Sequence, residues 1–289
     1  MNNMVEPCMR KIPLSVIILT LNESPIIERC ISRVRWADDV VVIDSGSTDD
    51  TRERAAVLGA RVFDIPWRGW VGQRQVGIEK AKHDWVFILE ADEIVNEDLA
   101  ASIQSAMRAP MSPDDGYTVV RRDRFFGVLL PNLRNRVRQR NFVRIFNRTR
   151  SRYNPDHLIH EEVIFPGRSI PLKPGFMVHC RNFTFQQQMH RLVDITQDEA
   201  AQMTNRGVRA SAIKVIVWPL LRFLWVYVRK GGWRLGGPGL VHAGMVAVAE
   251  YLRWTTLWEK QHVNSEEYAP MPKASLHAAT TEFQKLNER

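Results

Sequence analysis

With 289 residues the chain has room for one large domain or two ordinary ones, and 45% hydrophobic with 25% charged residues is the make-up of a chain that buries a core, which excludes wholesale disorder and collagen-like or coiled-coil structure. A formal net charge of +8 and a pI near 9.7 leave three anionic partners open: nucleic acid, an anionic membrane surface or a phosphorylated substrate. The three cysteines, Cys8, Cys30 and Cys180, are odd in number and far apart, which excludes a disulfide framework or a cysteine-rich zinc site and fits a reducing compartment.

The start is polar and broken by Pro7 and Pro13, with none of the apolar stretch of a secretory leader. Leu14–Thr20 is then a continuous β-branched run, the pattern of a strand buried on both faces. A helix is expected over Ile26–Arg35, with Ser24-Pro25 as its cap and first turn. Asp39–Asp44 is a second buried strand, Thr48–Leu58 a second helix with Gly59 at its C-cap, and Ala60–Phe63 a short third strand. A helix around Gly72–Lys82 leads into the strand Trp85–Leu89. This alternation predicts an α/β domain with a mostly parallel sheet between helices.

Ligands of such sheets lie at the carboxyl ends of the strands. Here those ends read Thr20-Leu-Asn-Glu23, Asp44-Ser-Gly-Ser-Thr-Asp49 and Glu90-Ala-Asp-Glu93. Alternate carboxylates at a strand end suit a hard divalent cation, Mg2+ or Mn2+, bridging to a diphosphate; a solvated acidic turn is the plainer alternative. Asp44 can accept from a ribose or a base N–H, or cap the helix that follows; both can hold together. Arg74, near the start of its helix, can approach a diphosphate or be a surface arginine. No dinucleotide-binding or P-loop glycine pattern occurs.

Between Tyr117 and His179 shorter strands and loops are expected, with an arginine-dense stretch from Arg121 to Arg152 whose only acid is Asp123. If extended, Arg134, Arg136, Arg138 and Arg140 would share a face. Gln186–Asn205 is helical in pattern. Ile213–Val228 is apolar apart from Lys214, Pro219 and Arg222, and a glycine-rich break at 231–239 precedes an apolar helix over Leu240–Trp254. Lys214, Arg222 and Arg229 fall on roughly one face, as in a helix lying in a membrane interface; a buried helix is the second reading and a span, for which about 16 residues are too few, the third. From Asn264 a loose polar tail is expected. The divisions are a catalytic domain at 13–205, a helical membrane-associating region at 206–262 and a tail at 263–289.

Together Thr20-Leu-Asn-Glu23, Val42-Ile-Asp-Ser-Gly-Ser-Thr-Asp49, Gln73-Arg-Gln75, Trp85-Val-Phe-Ile-Leu-Glu-Ala-Asp-Glu93, Val143-Arg-Ile-Phe146 and His160-Glu161 resemble the inverting family 2 glycosyltransferases of the GT-A fold, nearest the subgroup that adds sugars to lipopolysaccharide inner core. The likeness covers about residues 13–260. Two departures are Glu90 where many members carry Asp, and Gln75 where asparagine is more usual.

The resemblance implies transfer of a hexose such as glucose from a UDP-linked donor to a lipid-anchored or phosphorylated glycan. It further implies a divalent metal held by Asp92 with Glu90, a nucleotide pocket lined by Thr20, Asn22, Glu23, Asp44, Ser45, Arg74 and Gln75, and work at the cytoplasmic face of the inner membrane as a peripheral protein. The transfer needs a base for the acceptor hydroxyl. The expected base is Glu161, with Glu162 and Asp156 as alternatives; Arg144 and His160 are expected near acceptor or phosphate. His157, His160 and His179 lack a zinc spacing, so zinc is not expected. A polyprenyl-phosphate acceptor is the second reading. A nucleic-acid-binding role is remote, since the aromatic and fold motifs it wants are missing, and no nucleic-acid partner is expected.

Overall fold

The computed structural model describes residues 11–131, 142–154, 162–180 and 184–263. The chain divides into two units, Met1–Asn182 and Phe183–Arg289. The helix over Phe185–Asn205 falls in the second unit, where it packs against the last helix of the chain.

The first unit opens with β1 (Ile12–Thr20), α1 (Ile27–Ser32), β2 (Ala37–Asp44), α2 (Thr51–Val57), β3 (Arg61–Asp64), α3 (Gly69–Lys80) and β4 (Trp85–Glu90). It continues with β5 (Glu93–Val95), α4 (Glu97–Arg108), β6 (Gly116–Thr118), β7 (Arg121–Phe125) and β8 (Val128–Leu129). Five short strands close it: β9 (Val143–Asn147), β10 (Arg152–Tyr153), β11 (Val163–Ile164), β12 (Ser169–Pro171) and β13 (Met177–His179). Among the described residues the main sheet has seven strands in the order β12-β6-β9-β4-β1-β2-β3. Its first four chain-order strands, β1 to β4, are mutually parallel; β9 runs antiparallel between β4 and β6. This is the mostly parallel α/β sheet that the strand runs predicted.

The β-branched runs explain the burial. Val16 and Ile18 belong to one core cluster with Ile27, Ile31, Phe87 and Leu99, while Ile17 and Leu19 belong to a second with Val76, Ile88 and Phe146. Successive residues of β1 thus point to opposite faces, and both faces are covered by helices. Each fully buried Ile, Leu or Phe contributes about 1.5–3 kcal/mol. α3 approaches β1 closely through Gly77: a Cβ there would lie 2.3 Å from Ile17 Cγ2. α4 begins at Asn96, whose side chain accepts from Leu99 N at 3.0 Å, with Glu97 and Asp98 in the first turn favouring the helix dipole.

The early helices are shorter than expected. Ser24 does not cap α1; its N–H donates to Asp49 Oδ2 at 3.2 Å, and α1 starts after a turn, without a side-chain cap. α2 starts at Thr51 because Ser47, Thr48 and Asp49 bond within the loop instead. A second, four-stranded sheet, β5-β13-β7-β8, sets His179 opposite both Glu93 and Asp123.

The second unit holds α5 (Phe185–Asn205), α6 (Ala212–Leu224) and α7 (Gly236–His262), with a π turn over Trp225–Arg229 and a 3-10 turn over Gly232–Leu235 after α6. α5 opens with a reciprocal cap, in which Gln187 N donates to Thr184 Oγ1 and Thr184 N to Gln187 Oε1. Arg253 of α7 pairs with Glu199 of α5 at 2.6 Å. No helix among the described residues is long and apolar enough to cross a membrane.

Candidate active site

The loops after β1 and β2 are laced together at the carboxyl edge of the sheet. Asn22, in a left-handed conformation (φ 54°) that asparagine tolerates, receives Thr48 N on Oδ1 at 2.8 Å and gives its own N–H to Ser47 Oγ at 2.8 Å. Glu23 N donates to Thr51 Oγ1 at 2.9 Å. Asp44 lies beneath, fully buried: Oδ1 accepts from Gly46 N at 3.0 Å and Ser47 N at 2.7 Å, and Oδ2 from Ser47 Oγ at 2.5 Å. Asp44 therefore shapes this loop from below. Ser45 Oγ accepts from Gln73 Nε2 at 3.0 Å, and Gln73 is itself fully buried. Thr20 is buried, its Oγ1 without a hydrogen-bond partner among the described residues.

The end of β4 carries the acidic cluster. Glu90 pairs with Arg74 of α3 at 3.0 Å, and Arg74, 4% exposed, also donates to Trp70 O and lies 5.6 Å from the Trp70 ring centroid. Asp92 Oδ2 lies 3.1 Å from His179 Nε2, and the other ring nitrogen of His179, Nδ1, lies 2.6 Å from Asp123 Oδ1. Glu93 is fully buried and works inward: Oε2 accepts from Glu90 N at 3.0 Å and Oε1 from Arg144 at 2.8 Å, with Arg121 at 3.5 Å. Cys180 N donates to Asp92 O at 2.7 Å, which locks β13 to the acidic turn.

Electrostatics follow from this crowding. Burial, then the charges of Asp92 and Asp49, push the half-buried Glu23 carboxyl up to about 7, with His179 opposing. At Glu90 burial acts upward, but the guanidinium groups of Arg144 and Arg74 outweigh it and hold the carboxyl below its ordinary range. At His179 burial acts downward, yet the hydrogen bonds to Asp123 and Asp92 prevail and raise the imidazole. Acceptor atoms of Glu90, Asp92 and His179 lie within 4.8 Å of one another. Two carboxylate oxygens with one imidazole suit Mg2+ or, better, Mn2+. The Nδ1 contact to Asp123 is the outer support that metal-binding histidines ordinarily carry. The donor set fits a divalent cation.

The structure thus brings Thr20, Asn22, Glu23, Asp44, Ser45, Arg74, Glu90 and Asp92 to one edge of the sheet. It does not bring Gln75 there: that side chain is exposed and reaches Glu79 at 3.5 Å, because on α3 it points away from the buried face of Gln73 and Arg74. Arg144 is 5% exposed, bound to Glu93 and to Ile88 O and 4.3 Å from the Phe142 ring centroid, so it anchors the acidic turn. Glu161, His160, His157, Asp156 and Arg134–Arg140 lie outside the described residues. Sequence reasoning missed His179, Asp123 and Gln73. Of these only Gln73 carried a local signal, its place beside Arg74.

Comparison with known proteins agrees with this geometry. The profile of glycosyl transferase family 2 matches residues 15–165, over half of the chain and the whole span from β1 through the acidic turn to β11. The lipopolysaccharide core biosynthesis glycosyltransferase LpsC of Rhizobium meliloti is 30% identical over 86% of this chain and 93% of its own length. The uncharacterized glycosyltransferase RP128 of Rickettsia prowazekii is 28% identical over 86% of this chain and 87% of its own. A crystal structure of S. aureus TarS 1–349 in complex with UDP-GlcNAc is similar over 86% of this chain and 91% of that one, at 14% identity and a TM-score of 0.43. With a parallel sheet whose carboxyl edge gathers the acidic turn, and a family profile that spans that edge, the chain belongs to glycosyl transferase family 2 and is a glycosyltransferase related to one of lipopolysaccharide core biosynthesis.

Proposed function

We propose that this enzyme transfers a hexose, with inversion, from a UDP-linked donor to a lipid-anchored glycan of the lipopolysaccharide-core kind, at the cytoplasmic face of the membrane. The observation that carries the reading is the cluster of Glu90, Asp92 and His179 beside Arg74 at the carboxyl edge of the sheet. Glu90, Asp92 and His179 would hold the divalent cation, Mg2+ or Mn2+, which when bound neutralises charge on the donor diphosphate. Arg74 adds a fixed positive charge next to the same place, and Asn22, Ser45 and the loop held by Asp44 form the wall a nucleoside would meet. Asp123 orients His179.

In the transfer an acceptor hydroxyl oxygen attacks the anomeric carbon from the side opposite the diphosphate. The new glycosidic C–O bond forms as the bond to the diphosphate oxygen breaks, the electron pair leaves with UDP, and the hydroxyl proton passes to a carboxylate base. We assign that base to Glu161 on the family resemblance, with Glu162 and Asp156 as the alternatives. Arg74 stabilises charge on the leaving group only as it develops, so its effect falls on turnover.

The test is incorporation of labelled hexose from UDP-glucose into a core glycolipid acceptor by the purified enzyme, with and without chelator. Metal-dependent incorporation, lost in Asp92→Ala and slowed in Glu161→Gln at unchanged donor affinity, is expected. Transfer that survives exhaustive chelation would overturn the metal assignment. Mass spectrometry of glycolipid from a deletion strain identifies the missing sugar, and an unaltered core there would overturn the acceptor.

A further inference from the structure

The transfer reaction leaves the second unit without a task, and its outer surface is unlike that of a water-soluble helical unit. Such a unit turns a polar stripe outward. α6 does the reverse. Ile213, Ile216, Leu220 and Leu224 share one helical face and are 73%, 59%, 62% and 53% exposed, with Val217 and Leu221 alongside, while Pro219 is buried on the packed side. Beyond α6, Val228 and Trp233 extend the exposed apolar surface. Contiguous apolar surface of this kind marks an interaction site.

The charge around it is of one sign. Residues 206–249 contain seven Lys or Arg and no Asp or Glu. Arg222 and Lys230 lie 4.5 Å and 4.8 Å from the Trp225 ring centroid, and Arg234 lies 5.2 Å from that of Trp233. Indole rings beside cationic groups at the rim of an apolar face are the side chains that settle at a membrane–water boundary. A second copy of the chain is a poor occupant, because a two-fold contact through this face would set like charges together.

We propose that this face of the second unit, from Ile213 to Trp233, docks on an anionic bilayer surface. The apolar face of α6 enters the boundary of the hydrocarbon, and Arg229, Lys230 and Arg234 meet lipid phosphates. At 13 residues α6 is about 20 Å long against a hydrocarbon thickness of about 30 Å, so it lies along the surface. The inference deepens the reading of a lipid-anchored acceptor and takes its purpose from it, but its test needs neither donor nor acceptor.

That test is flotation of the full chain with vesicles of phosphatidylcholine containing 30% phosphatidylglycerol, against pure phosphatidylcholine, in low and high salt. Tryptophan quenching by brominated lipid reports insertion. The chain should float with the anionic vesicles, be quenched, and be released by salt or alkaline carbonate. Arg229→Ala and Arg234→Ala should each weaken binding about 5-fold, the effect of one basic residue near an anionic leaflet. Ile216→Asp with Leu220→Asp, both exposed positions, should abolish quenching and leave the thermal transition in place. Wild-type chain that stays behind with anionic vesicles, or an Asp pair that floats and is quenched like wild type, would overturn the proposal. Resistance to carbonate would replace it with a spanning segment, and a dimer in sedimentation that the Asp pair dissolves would replace it with self-association. Loss of transfer with normal flotation would strike the proposed reaction alone.

Discussion

Carboxylates stand at both ends of the parallel strands in different surroundings, a buried one at the amino end and a half-buried to exposed cluster at the carboxyl end. At the amino end, Asp39 of β2 stands alone among donors: Arg61 donates to both oxygens at 2.9 and 3.0 Å, Ser15 Oγ to Oδ2 at 2.6 Å and Lys82 N to Oδ2 at 2.9 Å. Burial acts to raise that carboxyl, but Arg61 and Ser15 outweigh it and hold it below the ordinary range. At the carboxyl end, Glu90, Asp92 and Asp123 crowd around one imidazole, and the excess of negative charge there helps push Glu23 up to about 7. A carboxylate saturated by donors holds a fold together; carboxylates gathered with an imidazole, their acceptor atoms within 4.8 Å of one another, can hold a place for a cation. Mutations should therefore separate stability from activity according to the end they touch.

The widest gap is expected at Asp92. Asp92→Ala should lower turnover by at least about 100-fold, as the several kcal/mol of diphosphate stabilisation are lost, while the melting temperature changes little. Asp123→Asn keeps the shape but weakens the support of His179, and Mn2+ affinity measured by titration should fall about 10–100-fold with donor-free stability unchanged. A similar loss on both axes at either residue would erase the contrast.

At the other end, Asp39→Ala should cost about 2–3 kcal/mol in denaturant unfolding, since a guanidinium, a hydroxyl and an amide lose their acceptor, and the folded fraction should keep full turnover. The pH dependence has a definite sign. Because the folded carboxyl titrates lower than the unfolded one, its contribution is complete above about pH 4 and is lost as pH falls through the folded value. Asp39→Asn should accordingly flatten the acid limb of the stability curve. Gly77→Ala, which drives a methyl into Ile17, should cost about 1–3 kcal/mol. Gln75→Ala should stay within about 0.5 kcal/mol of wild type with unchanged donor KM.

The same contrast explains what could be read from the sequence. The strands were legible because Leu14–Thr20, Asp39–Asp44 and Trp85–Leu89 are continuous apolar runs, and their polar ends announced the site directly. α3 was less so: beside Val76 and Ile78 its buried residues include Gln73, Arg74 and Gly77, so hydrophobic periodicity gives a weak phase, and Gln75 could not be told from Gln73. His179 and Asp123 were not legible at all. They lie far from Asp92 in sequence and reach it only through the β13 pairings with β5 and β7, a register set by tertiary packing. Nor does anything local show that Glu93, on another strand, pairs with Arg144.

The central claim is that Asp92 and His179 form a cation site which the donor diphosphate completes. Titration of Mn2+ into the purified chain, followed by the free Mn2+ electron paramagnetic resonance signal with UDP present, measures it directly. One tightly held Mn2+ in the wild type, lost in Asp92→Ala and in His179→Ala but kept in Asp39→Ala, is the predicted result; equal Mn2+ binding in all four proteins would contradict it.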